Sequence, residues 1–202
     1  FFFKEKIELV FIGVDFELEL FSRNKTLIES KTNAKIIVSN LKTIQIANDK
    51  FLTYKFLKEA KLNFPKTNKL SEISLNELSF PKILKPRIGY RSRNVFLLKN
   101  LDDFNNLRIK NIDDYIIQEY LGYDNQEYTC GTITINNTFR SIVLKRKLNN
   151  GNTSVAEHSE KYNSKIKEYI FKVNNILKPF GPCNYQLRVD SKGNPKIFEI
   201  NL

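Results

Sequence analysis

The segment GPCNYQLRVDSKGNPKIFEIN, residues 181–201, carries the strongest fold signal in the chain. Its apolar and aromatic residues fall into two short runs, Asn184–Val189 and Lys196–Ile200. The turn-forming sequence Asp190-Ser191-Lys192-Gly193 separates them. We therefore expect two antiparallel strands that close the chain as a hairpin.

Polar side chains alternate with apolar ones along this hairpin. Because successive side chains of a strand point to opposite faces, Asn184 and Gln186 share one face, and Glu199 and Asn201 share one face of the next strand. All four side chains carry oxygen, the ligand atom that Mg²⁺ prefers. The pattern predicts a magnesium site on this face, and a polar face turned to solvent is the alternative interpretation.

Two lysines upstream have the setting of phosphate-binding residues. Lys50 follows Asp49, which is expected to cap a helix, and Lys85 ends a strand before the loop Pro86–Ser92. A lysine beside a loop with exposed amide groups can hold phosphate oxygens. The loop contains one glycine, Gly89, and does not match a Walker sequence, so a basic surface turn is the alternative.

A third feature lies in the middle of the chain, where Gln118-Glu119-Tyr120-Leu121 runs into Gly122. An exposed strand edge offers N–H and C=O groups that can pair with an adenine ring. Glu127 follows closely, and a carboxylate can accept both ribose hydroxyls. A plain edge strand with solvated acids is the alternative interpretation.

The N-terminal third alternates strand and helix patterns. Ile7–Val14 reads as a buried strand, Asp15–Ser30 as a helix and Ala34–Ser39 as a second strand, which together predict a βαβ unit. Lys50–Ala60 has the periodicity of a helix. The polar stretch that follows it, as far as Ser79, reads as a linker.

Beyond Ser79 the pattern predicts a mixed α/β (α+β) domain. Its expected strands before the closing hairpin are Phe80–Lys85, Asn94–Leu98, Tyr115–Leu121, Glu127–Ile135 and Phe139–Leu144. Its expected helices are Leu101–Asn111 and Asn163–Leu177. The pair Asn136-Asn137 tolerates positive φ and predicts a hairpin turn between two of these strands.

The composition limits the classes of function. The 202 residues carry a formal net charge of +11, which invites a nucleic-acid interpretation because basic clusters neutralise phosphates. Lys and Arg are scattered, however, and often stand beside Asn. We therefore expect the charge to reflect surface composition, and we do not expect a nucleic-acid partner. Two cysteines, Cys130 and Cys183, form no CxxC pair and favour a reducing, cytoplasmic setting.

Neither a membrane span nor a leader is expected. Apolar runs such as Ile7–Val14 are far shorter than the roughly 20 residues that a membrane-spanning helix needs. The start lacks the basic region and cleavage site of a signal peptide. Met is absent from the chain, so we expect the sequence to be part of a longer one.

The order of these features resembles the ATP-grasp superfamily, most closely its carbamoyl-phosphate-synthase-like carboxylate–amine ligases. The resemblance rests on Asp49-Lys50, Phe80–Pro86, Gln118–Gly122, Glu127–Thr129, Gly181–Gln186 and Phe198–Asn201. It implies an ATP-grasp domain over residues 48–202. Residues 1–47 are then expected to be the end of a preceding pre-ATP-grasp layer.

The resemblance implies roles for individual residues. Lys50 and Lys85 would contact the α- and β-phosphates of ATP, and Arg146 would face the γ-phosphate or the substrate carboxylate as the catalytic group. The expected nucleotide-binding residues are Lys50, Lys85, Gly89, Ser92, Gln118, Glu119, Tyr120, Leu121 and Glu127. The expected ligands of Mg²⁺, or of Mn²⁺ as an alternative, are Gln186, Glu199 and Asn201, with Asn184 as a weaker candidate.

Two departures from the family pattern matter. The phosphate loop carries Tyr90, Arg91 and Asn94 where relatives usually have more glycine, and this bulk limits close approach of the backbone to phosphate. Relatives also continue after the position of Asn201 with Pro and a catalytic Arg, whereas the sequence ends at Leu202.

The resulting expectation is an ATP- and Mg²⁺-dependent ligase. It would activate a small carboxylate as an acyl phosphate, which an amine or a similar nucleophile then attacks. A catalytically incomplete nucleotide-binding module, or one subunit of a split enzyme, is the first alternative. A basic nucleic-acid-binding domain is the second. A homo-oligomer is compatible with each of them.

Overall fold

Eleven strands and five α-helices follow one another in a computed structural model that describes residues 2, 4–89, 93–122, 127–136, 138–149 and 152–202. The helices are α1 (Asp15–Lys31), α2 (Leu41–Asn48), α3 (Lys50–Glu59), α4 (Leu101–Asn105) and α5 (Asn163–Leu177). The first six strands are β1 (Leu9–Phe11), β2 (Lys35–Ile37), β3 (Thr67–Lys69), β4 (Lys82–Pro86), β5 (Phe96–Leu98) and β6 (Tyr115–Glu119). The last five are β7 (Glu127–Ile135), β8 (Thr138–Asn149), β9 (Asn152–Glu157), β10 (Gly181–Val189) and β11 (Pro195–Asn201).

The N-terminal layer is a βαβ unit, as expected. β1 and β2 pair in parallel, with Leu9 opposite Lys35, and α1 crosses between them. The expectation of a long buried strand over Ile7–Val14 is wrong, because only three of its residues pair, and Leu9 and Phe11 are exposed. The described sheet has only two strands, so α1 covers one face and the alternate side chains of β1 remain outside the core.

Helix α2 was not expected from the sequence. Asn40 caps it by accepting a hydrogen bond from the Thr43 N–H at 3.0 Å. Ile44 packs with the N-terminal layer and Ala47 packs with the core of the large sheet. The helix therefore joins the two parts of the molecule.

A four-stranded antiparallel sheet, in the order β3-β6-β4-β5, forms the second layer. The expected linker up to Ser79 is in fact part of this layer, since Thr67 pairs with Gln118 and Leu70 is buried in its core. The polar strand β3 carries no apolar alternation that would have revealed it. Helix α4 is also shorter than expected and ends at Asn105.

A five-stranded antiparallel sheet, in the order β11-β10-β7-β8-β9, forms the third layer. The expected hairpin of β7 and β8 is present, although Asn137 of its turn lies outside the described residues. Strand β9 was missed because its sequence, NTSVAE, is mostly polar, and its residues 153–157 are exposed at the sheet edge.

Helix α5 has the bounds that its periodicity predicts. It covers one face of the five-stranded sheet with Ile166, Ile170, Val173 and Leu177. Burying four such side chains contributes about 1.5–3 kcal/mol each before entropy is counted. The alternate side chains of β10, such as Gln186 and Arg188, lie on the opposite face of the sheet.

Within the described ranges, no helix combines the length and the apolar character that crossing a bilayer requires. Cys130 and Cys183 are both buried free thiols on neighbouring strands. Burial raises the pKa of each thiol to about 12, so both are protonated near neutral pH.

Candidate functional site

A cavity of about 330 Å³ lies between the four-stranded and five-stranded sheets. Both sheets turn polar side chains toward it, and helix α3 contributes the residue at its N-terminus. Most of the residues singled out from the sequence line this cavity: Lys50, Lys85, Gly89, Gln118, Glu119, Tyr120, Leu121, Glu127, Arg146 and Glu199.

Two of the expected site residues, Gln186 and Asn201, do not line this cavity. The amide oxygen of Gln186 accepts a hydrogen bond from Arg146 Nη2 at 2.8 Å, so this side chain is held by its neighbour at the margin of the cavity. Asn201 lines a second hollow on the sheet together with Asn184. Ser92 lies outside the described residues.

The register of the closing hairpin explains this separation. Asn184 lies opposite Asn201, and Gln186 lies opposite Glu199, so the two pairs share a face as expected. One pair is two residues further along the strands than the other, a step of roughly 7 Å. Glu199 therefore reaches the cavity between the sheets, while Asn201 faces the hollow beside it.

Lys50 is held at the cavity by the N-terminus of α3. Asp49 caps this helix by accepting hydrogen bonds from the N–H groups of Phe51 and Leu52. The same carboxylate accepts from Arg87 Nη2 at 2.6 Å, and the Lys50 N–H donates to the Arg87 carbonyl at 2.9 Å. The hydrogen bond with Asp49 raises the pKa of Arg87. These contacts fix the start of the helix to the end of β4.

The Lys50 ammonium has two contacts of its own. Its Nζ donates to the Gly89 carbonyl at 3.1 Å and lies 3.6 Å from Glu199 Oε1. The lysine therefore bridges the loop after β4 and the carboxylate on β11. Both of these groups face the cavity.

Lys85 is almost fully buried at the centre of the site. Its Nζ donates to the Phe198 carbonyl at 3.2 Å and lies 5.3 Å from the centre of the Phe198 ring. Burial, assisted by the neighbouring Lys50 ammonium, lowers the pKa of Lys85 from 10.5 to about 7. A ligand with negative charge would favour the protonated form.

The end of β6 forms one wall of the cavity. The Gln118 side chain is buried and donates to Thr67 Oγ1 at 2.8 Å. The Glu119 N–H donates to the Lys66 carbonyl at 2.8 Å, so the main chain of Glu119 can offer a ligand only its carbonyl oxygen. The next two residues, Tyr120 and Leu121, lie beyond the end of the strand and also line the cavity.

The Glu119 carboxylate lines the cavity and is paired with a lysine. Lys196 Nζ donates to both of its oxygens, at 2.9 and 3.1 Å. This contact ties β11 of the large sheet to β6 of the small sheet. It holds together the two sides of the cavity.

Glu127, Arg146 and Arg188 form a charged cluster on the large sheet. Arg146 Nε donates to Glu127 Oε1 at 2.7 Å, and Arg188 Nη2 donates to Glu127 Oε2 at 2.7 Å. Arg188 lines the cavity and was not singled out from the sequence. It extends the alternation of Asn184 and Gln186 by one further step, and that spacing could have identified it.

The charge of the lining suits an anion. Among the described residues around the cavity there are five cations, Lys50, Lys85, Arg93, Arg146 and Arg188, against three carboxylates, Glu119, Glu127 and Glu199. Excess positive charge in a concave, poorly solvated site attracts phosphate. The charge of the cavity therefore suits a ligand that carries phosphate groups.

A divalent cation would have few protein ligands here. The described residues contain no cluster of three or more His, Cys, Asp or Glu side chains that could hold a metal. Glu119 and Glu127 are bound by Lys196 and by two arginines, whereas the Glu199 carboxylate lies 3.6 Å from Lys50 Nζ and is the one best placed for a cation. The Gln186 amide lies on the strand opposite Glu199, and its oxygen accepts a hydrogen bond from Arg146. One carboxylate fits Mg²⁺, which is often held by one or two carboxylates plus substrate phosphates.

Comparison with known proteins agrees with this geometry. Residues 47–201 match the ATP-grasp domain family. The chain is 29% identical over 145 residues to the uncharacterized protein MG011 of Mycoplasma genitalium. That alignment covers 70% of this chain and 48% of MG011, so the chain spans about half the length of this curated relative.

Two solved structures show the same fold at low identity. The biotin carboxylase domain of the Hydrogenobacter thermophilus 2-oxoglutarate carboxylase, in complex with MgADP, ADP and bicarbonate, superposes with a TM-score of 0.77 at 16% identity, covering 98% of this chain and 48% of that one. The L-amino acid ligase of Bacillus licheniformis superposes with a TM-score of 0.73 at 16% identity, covering 93% and 47%. The match over residues 47–201 shows that the chain belongs to the ATP-grasp domain family.

Proposed function

We propose that the cavity between the two sheets binds ATP with Mg²⁺, and that the whole protein is a ligase that joins a small carboxylate to an amine. One observation carries the proposal: Lys50, Lys85, the Gln118–Leu121 edge and Glu199 all line a single cavity. The relatives add support, since one is a ligase of amino acids and another was solved with MgADP and bicarbonate.

In this proposal the nucleotide lies along the cavity. The main chain of the Gln118–Leu121 edge receives the adenine ring. The buried ammonium groups of Lys50 and Lys85 neutralise the phosphates, and Glu199 holds the cation with Gln186 close by. Magnesium, when bound, neutralises charge on the phosphoryl oxygens.

The reaction would proceed in two displacements. A carboxylate oxygen of the substrate attacks the γ-phosphorus, the bond to the β-phosphate oxygen breaks, and ADP leaves. The amine then attacks the carbonyl carbon of the acyl phosphate, inorganic phosphate leaves, and the nitrogen loses a proton. Arg146 is the proposed group beside the γ-phosphate or the substrate carboxylate.

The protein contributes position and charge in this scheme. Both displacements involve groups of the substrates, so the protein needs no nucleophile of its own. Lys50 and Lys85 are already held in place by main-chain carbonyls. Such preorganised cations cost little reorganisation when charge develops on the transferred group.

An assay of ADP release tests this proposal. The complete protein is incubated with MgATP and a panel of small carboxylates and amines. We expect ADP only when a matching pair is present, and its loss in Lys85→Ala but not in the surface control Lys172→Ala. Lys172 is exposed on α5 and pairs with Glu168. Nucleotide binding without turnover on any pair would favour the incomplete module, and salt-sensitive binding of polynucleotides without ATP binding would favour the nucleic-acid alternative.

A further inference from the structure

The segment that follows β6 is tied to the large sheet at two points. Arg188 and Lys196 lie opposite each other on β10 and β11. Lys196 donates to the Glu119 carboxylate, and Arg188 Nη1 donates to the carbonyl of Gly122. The two residues between these points line the cavity, so the main chain of this wall is held at both ends.

The Glu119 carboxylate joins three strands. Lys196 Nζ donates to its two oxygens at 2.9 and 3.1 Å. Oε2 also accepts a hydrogen bond from the Lys66 N–H at 3.0 Å, and Lys66 directly precedes β3. The carboxylate therefore links β11 of the large sheet to β6 and β3 of the small sheet.

The Lys196 ammonium is ordered by the turn before β11. Its Nζ lies 3.6 Å from Asp190 Oδ2. Asp190 in turn accepts hydrogen bonds from the N–H groups of Lys192 and Asn194, at 3.0 and 2.9 Å. Only 16% of the Lys196 side chain is exposed. Because its partners are already fixed, this ion pair loses less side-chain entropy than a pair of mobile surface groups.

The other lysines that reach across the cavity have a different place in the site. Lys50 and Lys85 contact groups of β11, and the proposed function assigns both ammonium groups to the phosphates. Lys196 is not one of the described residues that line the cavity. A nucleotide in the cavity therefore need not displace the contact between Lys196 and Glu119.

We propose that Lys196 is a positioning residue for nucleotide binding: acting through Glu119, it holds the main chain of residues 119–122 against the large sheet, where the base binds. This inference rests on the proposed function. It adds to nucleotide recognition a residue that lies outside the cavity. Without the ammonium, this wall would have to be ordered when the base binds, and that ordering would cost affinity.

Calorimetric titration of the complete protein with MgATP tests the positioning role. We expect Lys196→Ala to weaken binding about fivefold, as the loss of a partly buried ion pair predicts, and Lys196→Arg to bind within about twofold of the unaltered protein. In a Glu119→Ala background, Lys196→Ala should cause no further loss, because its partner is already gone. Losses that multiply in the double variant, or an unchanged affinity in a folded Lys196→Ala variant, would overturn the inference.

Magnesium tripolyphosphate separates positioning of the base from a general loosening of the protein, because it carries three phosphates and no base. Lys196→Ala should bind it as the unaltered protein does. The control Lys172→Ala, altered at an exposed residue of α5, should bind both ligands normally. Equal weakening of MgATP and tripolyphosphate binding by Lys196→Ala would overturn the positioning role. An unaltered protein that binds neither ligand would contradict the proposed function itself.

Discussion

The proposed role of the buried Lys85 ammonium predicts that nucleotide binding depends on pH. Its pKa is lowered from 10.5 to about 7, chiefly by burial and then by the charge of Lys50. If bound phosphates require the protonated form, the affinity for ATP must fall as pH rises past 7. The perturbation is therefore a change of pH from 6 to 8.5.

The size of the effect follows from the protonated fraction of Lys85. With a pKa of about 7, that fraction falls from about 0.9 at pH 6 to about 0.03 at pH 8.5, so the affinity should fall about 30-fold. Binding near pH 7 should also take up a fraction of a proton. The stability of the unliganded protein should change in the opposite direction. Between pH 7 and 10.5 the Lys85 side chain is more protonated in the unfolded state than in the folded state, so the contribution of Lys85 to the free energy of unfolding rises with pH over that window.

Isothermal titration calorimetry in buffers of different ionisation enthalpy measures both the affinity and the proton uptake. Lys85→Arg is the matched control, because a guanidinium stays charged across this range. Subtracting its profile removes the titration of the nucleotide itself. Equal pH profiles for the unaltered protein and Lys85→Arg, with equal proton uptake, would refute the role given to Lys85.

Two further predictions concern the folding of the elements that position the site. Gly181 has φ +97°, and an added Cβ would lie 2.5 Å from Ile37 Cγ2, so Gly181→Ala should lower the free energy of unfolding by about 2–5 kcal/mol. Gly13→Ala, where an added Cβ meets nothing within 4 Å, is the control in the same urea titration, and equal effects would contradict the clash. Asp49→Ala should cost about 2 kcal/mol, because a helix cap and a salt bridge are both lost. Arg87→Lys keeps the cap and a positive charge and should cost less than about 1 kcal/mol by losing the two-point contact with Asp49, and an equal loss in both variants would contradict the contribution of the cap.

The parts of the fold that the sequence predicts well are those with a strong local pattern. Helix α5 has the expected bounds because its buried side chains recur with helical spacing along all fifteen residues. The closing hairpin was also expected, since alternation and the turn at Asp190–Gly193 indicate the same register. In both cases the local signal and the tertiary packing agree.

The missed elements depend on contacts that are distant in the sequence. Strand β3 is three polar residues, and only its pairing with β6 makes it a strand. Strand β9 is a polar edge that pairs with β8. Neither carries the apolar alternation by which a strand is recognised.

The candidate site shows the same contrast between features with a local sequence pattern and features that depend on distant contacts. The lysines and Glu199 are marked in the sequence by their motifs, and the structure brings them to one cavity. Motif order says nothing about which groups satisfy one another, so the engagement of Glu127 by Arg146 and Arg188 was not foreseen. The displacement of Asn201 into a neighbouring hollow likewise depends on strand spacing that a sequence motif does not record.

A crystal structure of the complete protein with MgADP tests the central claim most directly. We predict density for the base against the main chain of Gln118–Leu121, with the phosphates in contact with Lys50 and Lys85 and the cation beside Glu199. Nucleotide bound on another surface, or a cavity without nucleotide at concentrations that saturate binding in solution, would contradict the claim.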